Sequence, residues 1–112
     1  MVTDDFVYIE KIISLYLSLP ETPPRSSQDD IRMAHDLYRR KTPAEIVEAA
    51  LLLATIRRLY RSPSLPKLAP IRSLRYFLPV IEEIIASPLP SNYLSYLRHK
   101  LDAYAEKNPL SK

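Results

Sequence analysis

A chain of 112 residues, 46% hydrophobic, with 11 prolines and neither cysteine nor glycine, has room for one core, so residues 1–112 are expected to form a single domain. That composition excludes disulfides, thiolate nucleophiles, cysteine-ligated zinc and the glycine loops that cradle phosphates or dinucleotides. The net charge of +3 is unevenly divided: residues 1–56 hold 6 basic and 9 acidic side chains, residues 57–112 hold 10 and 4, and a molecule polarised in this way favours an anionic partner.

The first helix is expected after a Thr3 or Asp4 cap, with Phe6, Ile9, Ile13, Tyr16 and Leu17 along one apolar face, ending at Leu19-Pro20. Residues 20–26 form a proline-stiffened connector, because a residue before proline is pushed out of the helical region. Ser27 followed by Asp30 then suggests a cap for a second helix, whose stripe is Ile31, Ala34, Leu37 and Tyr38. Thr42-Pro43-Ala44-Glu45 reads as the start of a third, with Thr42 capping, Pro43 at the first helical position and Glu45 reaching back. From Ile46 to Leu59 that helix is apolar nearly all round, and Ala49, Ala50 and Ala54 permit close neighbours. It is therefore expected at the centre.

Three prolines within residues 62–70 exclude a helix there, so this is the main loop. Ser73 offers the next cap for a helix reaching about Ala86, and Pro79 requires either a kink or a helix start near Arg75. After Pro88-Leu89-Pro90 a last helix runs from about Ser91 to Glu106, with Tyr93, Leu94, Leu97, Leu101 and Tyr104 inward. Residues 107–112 are a flexible tail. No alternating strand pattern and no repeat occurs. The fold class is all-α: a compact bundle of about five helices around a central apolar helix, with proline-rich connectors.

The chain lacks an apolar run of about 18 residues, and Met1 leads into Val2, Thr3, Asp4 and Asp5 where a secretory leader would be basic. A cytoplasmic protein with no membrane partner is the expectation. His35 and His99 have no second ligand at helical spacing, so no metal and no cofactor is expected. Glu82-Glu83 and Asp29-Asp30 diverge by about 100° on a helix and cannot share a proton as an acid–base pair does. Ser26, Ser27, Ser62, Ser64 and Ser73 sit in no nucleophile elbow. No catalytic residue emerges, and the chain is not read as an enzyme.

Between Arg57 and Val80 stand Arg57, Arg58, Arg61, Lys67, Arg72 and Arg75 without one acidic residue, followed by Tyr76 and Phe77. Cations that grip phosphates beside an aromatic that stacks on bases make up a nucleic-acid site. The candidate binding residues are these six cations and Tyr76, with Arg61, Lys67, Arg72 and Arg75 expected around one loop. The competing account pairs Arg72 and Arg75 with Glu82, Glu83 or acidic residues of the first half, leaving an ordinary solvated face. Two adjacent helical aromatics cannot both face the core, so one of Tyr76 and Phe77 is expected to be partly exposed.

Taken together, Thr42-Pro43-Ala44-Glu45-Ile46-Val47-Glu48-Ala49-Ala50, the arginine-bearing helix end and Ile71 to Glu83 resemble the helical accessory domains of bacterial replication-initiation proteins, the DnaD-like domains. Tyr76, Val80 and Ile84 are similar to that family's Y-x-x-x-I-x-x-x-W spacing, with Ile84 at the tryptophan position. The resemblance covers about residues 42–85. It implies DNA in preference to RNA as the nucleic acid, contact with a replication or recombination protein, and an accessory role in a bacterial mobile element. The alternative function is a protein–protein adaptor, or structural subunit of a larger complex, that offers a helix groove without touching nucleic acid.

Overall fold

Periodicity and capping turn the chain into five helices. The computed structural model describes residues 3–107: α1 (Asp4–Leu17), α2 (Gln28–Arg39), α3 (Ala44–Leu59), a 3-10 turn (Leu74–Phe77) running directly into α4 (Leu78–Ala86), and α5 (Tyr93–Lys107). No strand occurs among the described residues. Residues 108–112 of the expected tail lie outside them. No helix among the described residues is long and apolar enough to cross a membrane.

The start of α2 is built as its sequence predicts. The Ser27 hydroxyl accepts from the Asp30 N–H at 3.1 Å, and the Ser27 N–H donates to Asp30 Oδ2 at 2.9 Å, satisfying two amides that the helix itself cannot. Asp30 is buried, and its other oxygen accepts from the Leu74 N–H at 2.9 Å. One carboxylate thus caps α2 and docks the 3-10 turn 44 residues away.

Between α2 and α3 the expected capping box does not form. Lys41 takes the left-handed conformation at φ 60°. The Lys41 N–H donates to the Tyr38 carbonyl at 2.9 Å and the Thr42 N–H to the Leu37 carbonyl at 3.0 Å, the double bond of a Schellman helix end. Thr42 belongs to that turn and is buried, with its carbonyl accepting from the Tyr8 hydroxyl at 2.8 Å. The N-cap of α3 falls to Pro43, which has no side-chain bond to give, and Glu45 stays exposed. The end of α2 outweighs the cap signal because the Thr42 N–H is the one that closes the larger loop of that turn.

The face of α1 also differs from its expected stripe. Ile12 and Tyr16 are its buried residues, and half-buried Tyr8 continues that row at four-residue spacing. Phe6 is 55% exposed. Its apolar row with Ile9 and Ile13 instead borders a groove shared with Ile31 of α2. A helix carrying two apolar stripes can bury either one, and the Tyr8 bond to Thr42 selects the turn of the helix.

Of the 16 residues of α3, 11 are buried, and the helix packs against α1, α4, α5 and the 3-10 turn. Its buried carboxylate Glu48 accepts from the Arg98 guanidinium of α5 at 2.7 Å. Pro79 lies in the first turn of α4, where a missing N–H costs no helical bond. Phe77 meets Tyr16 edge-on at 6.0 Å between ring centres. Burial pushes the Tyr16 hydroxyl up to about 12, and the Asp30 charge adds to this.

Ala50 has no exposed surface. Ala50→Asp therefore places a charge without a partner inside the bundle, at a cost of several kcal/mol against a total stability of about 5–15 kcal/mol. Circular dichroism should show loss of the cooperative melt. A parent-like transition would remove α3 from the core.

Candidate nucleic-acid interface

The basic segment begins in the last turn of α3, where positive side chains face the negative end of the helix dipole. Arg57 and Arg58 are neighbours and point apart. Arg57 is exposed and donates Nη1 and Nη2 to Glu83 of α4 at 2.9 and 2.7 Å, a bidentate pair. Those hydrogen bonds hold the Glu83 carboxyl below its ordinary value and raise that of Arg57.

Arg58 turns inward, with only 4% of its side chain exposed. Its Nη2 donates to Glu21 Oε1 at 2.9 Å and to the Ala69 carbonyl, and Nη1 donates to the Tyr76 hydroxyl at 3.3 Å. The guanidinium carbon lies 5.6 Å from the centre of the Tyr76 ring. Burial works against the charge of Arg58, and the hydrogen bonds with Glu21 and Tyr76 outweigh it, so its pKa is raised. Its Nε is buried without a partner.

The remaining candidates divide. Arg75 donates Nε and Nη2 to Asp29 at 2.8 and 3.2 Å, which lowers the Asp29 carboxyl. It borders a depression with Asp36, Arg39 and Arg40. Arg61 donates to the Pro66 carbonyl and lines a cleft of about 300 Å³ with Lys67, Arg58 and Glu21. Lys67 and Arg72 are exposed. Among the described residues no carboxylate pairs with Arg61, Lys67 or Arg72. The expected grouping of four cations around one loop is therefore divided: Arg61 and Lys67 meet in the cleft, whereas Arg75 is drawn to the first turn of α2. Tyr76 is the partly exposed aromatic and Phe77 the buried one.

The Asp29 and Glu83 pairs have a defined pH window. Both carboxyls are depressed, so each pair contributes above the ordinary carboxylate range and is lost as the pH falls through the lowered value. At neutral pH Arg57 and Arg75 are held.

Two features went unread in the sequence. Tyr60 and Tyr96 are each about half exposed, and the Lys100 ammonium lies 4.7 Å from the centre of the Tyr60 ring and 5.9 Å from that of Tyr96. The four-residue steps from Tyr96 to Lys100 to Tyr104 were the available signal. The other feature is the groove between α1 and α2, about 600 Å³, lined by Phe6, Ile9, Ile13 and Ile31, with Asp5, Glu10 and His35 at its edge.

Among the described residues no three metal-binding side chains gather; His99 is exposed and His35 borders the groove. No protein-family model, curated protein or solved structure matches the chain.

Arg58→Ala would leave the Glu21 carboxylate and the Ala69 carbonyl without their shared donor. The loss should fall toward the lower end of the about 3–5 kcal/mol seen for a broken buried pair, since Glu21 keeps 36% of its side chain in water. Urea denaturation measures it, and Arg58→Lys, lacking the fork, should recover only part. An unchanged midpoint for Arg58→Ala would mean that the node contributes nothing to stability.

Proposed function

We propose that this chain is a non-catalytic accessory protein that binds nucleic acid through phosphate contacts from Arg61, Lys67 and Arg72. The observation that carries the reading is that half-buried Arg61 and exposed Lys67 and Arg72 stand on one proline-rich segment, and no carboxylate among the described residues neutralises them. A cation already in an ion pair must give up its partner to meet a phosphate, whereas an unpaired one releases only counterions. Arg57 and Arg75 are thus reserve contacts, and Arg58 is a structural residue. The resemblance of residues 42–85 to DnaD-like domains supports DNA as the nucleic acid and a replication or recombination protein as a neighbour in a mobile element.

A second reading, the protein adaptor, is favoured by the α1–α2 groove. Its apolar floor and the acidic edge of Asp5 and Glu10 suit an amphipathic partner helix flanked by Lys and Arg.

Fluorescence anisotropy with labelled DNA across a salt series tests the first reading. Weak binding is expected, falling steeply with salt. Replacing Arg61, Lys67 and Arg72 together with Gln should flatten the slope by about 0.7 for each single-strand phosphate contact removed, with helicity intact. Conversely, Asp29→Asn with Glu83→Gln releases Arg75 and Arg57 and should steepen it. Equal affinity of the triple Gln variant and its parent would rule out the segment as the binding surface.

For the adaptor reading, the probe is a synthetic Leu- and Lys-rich amphipathic helix. Phe6→Glu should abolish its binding without changing DNA affinity. Binding that survives Phe6→Glu would remove the groove as its site.

A further inference from the structure

The end of α3 meets α5 through aromatic rings. Tyr60 and Tyr104 contact edge-on at 5.5 Å, and Tyr93 and Tyr96 lie tilted at 5.3 Å between centres. Packing does not account for all of these rings: Leu97 is the buried residue of α5, while Tyr60 and Tyr96 keep 50% and 51% of their surface in water. Along α5, Tyr96, Lys100, Tyr104 and Lys107 recur at steps of four, four and three, which places them in one stripe. Asp102 and Glu106 stand two residues beyond Lys100 and Tyr104, about 200° round the helix. The stripe is therefore aromatic and cationic with no carboxylate in it. Arg61 follows Tyr60 directly in the chain and lines the cleft that Lys67 shares.

We infer that Tyr60, Tyr96 and Lys100 form a stacking platform for single-stranded nucleic acid, which rests on the nucleic-acid reading above and names the strand form it prefers. Every base has a π-face, so two exposed tyrosines can accept bases without sequence preference. Lys100 occupies the rings while they are empty. Lys100 is half-buried, and a base that stacks on these rings takes the place of its ammonium. The freed ammonium then meets the phosphate beside that base. Because one ammonium lies at 4.7 and 5.9 Å from the two ring centres, neighbouring bases of one strand can reach both. A duplex keeps its bases stacked on each other and offers only phosphates, which Arg61, Lys67 and Arg72 serve.

The test is anisotropy at low salt with the full chain, using labelled oligothymidylate and a duplex of equal length. Tyr60→Ala and Tyr96→Ala should each weaken oligothymidylate binding by about 5- to 150-fold, leave the salt slope unchanged and barely alter duplex binding. Tyr60→Leu and Tyr96→Leu keep an apolar side chain at each position and remove the π-face, so they should show the same loss if the alanine variants fold poorly. Tyr→Phe at both positions should retain affinity. Parent-like oligothymidylate affinity in the folded Leu variants, or an equal loss on duplex, would overturn the platform and leave phosphate binding standing. A folded parent that binds neither probe would overturn both.

Discussion

Arg58 places a permanent positive charge inside a small helical protein, and the surrounding chain is arranged to answer it. A guanidinium cannot shed its proton, so burial is tolerable only where acceptors come to it. They come from three places: the carboxylate of Glu21 after α1, the carbonyl of Ala69 in the proline-rich loop, and the hydroxyl of Tyr76 in the 3-10 turn. The Glu21 carbonyl also accepts from the Ile71 N–H at 2.9 Å. Two connectors with no regular structure of their own are thereby fixed to the end of α3. Reaching this arrangement puts Glu21 in the left-handed region at φ 66°, at a cost of about 1–2 kcal/mol for a residue with a Cβ.

Where local chemistry decides, the sequence was sufficient. The Ser27 and Asp30 pair acts within three residues, and its outcome was legible. Distant contacts escaped. Thr42 carries every mark of an N-cap, yet its N–H donates back to Leu37 at the end of α2 and its carbonyl accepts from Tyr8. α1 offers two apolar rows, and the choice between them is made where it packs on α2 and α3. Without glycine in the chain, nothing marked Glu21 and Lys41 as left-handed positions either.

The candidate site divides along the same line. A run of six cations was plain, but which of them stay unpaired depends on carboxylates 26 to 46 residues away, at Glu83, Glu21 and Asp29. Charge counting could name the segment and could not tell Arg57 from Arg61. Tyr60 escaped for a related reason. It caps the end of α3, and its neighbour Lys100 is 40 residues away.

The proline-rich loop from 62 to 70 is exposed throughout, while the bonds that cross it are numerous. Asp30 to Leu74, Glu21 to Ile71, Asp29 to Arg75, Arg57 to Glu83 and Glu48 to Arg98 all join residues before the loop to residues after it. The molecule is thus organised as a complementary pair of fragments that happen to share a covalent link. A nick in that link leaves the larger share of a common core on the first fragment and the rest on the second, and the attraction that folds the intact chain becomes an association equilibrium between them.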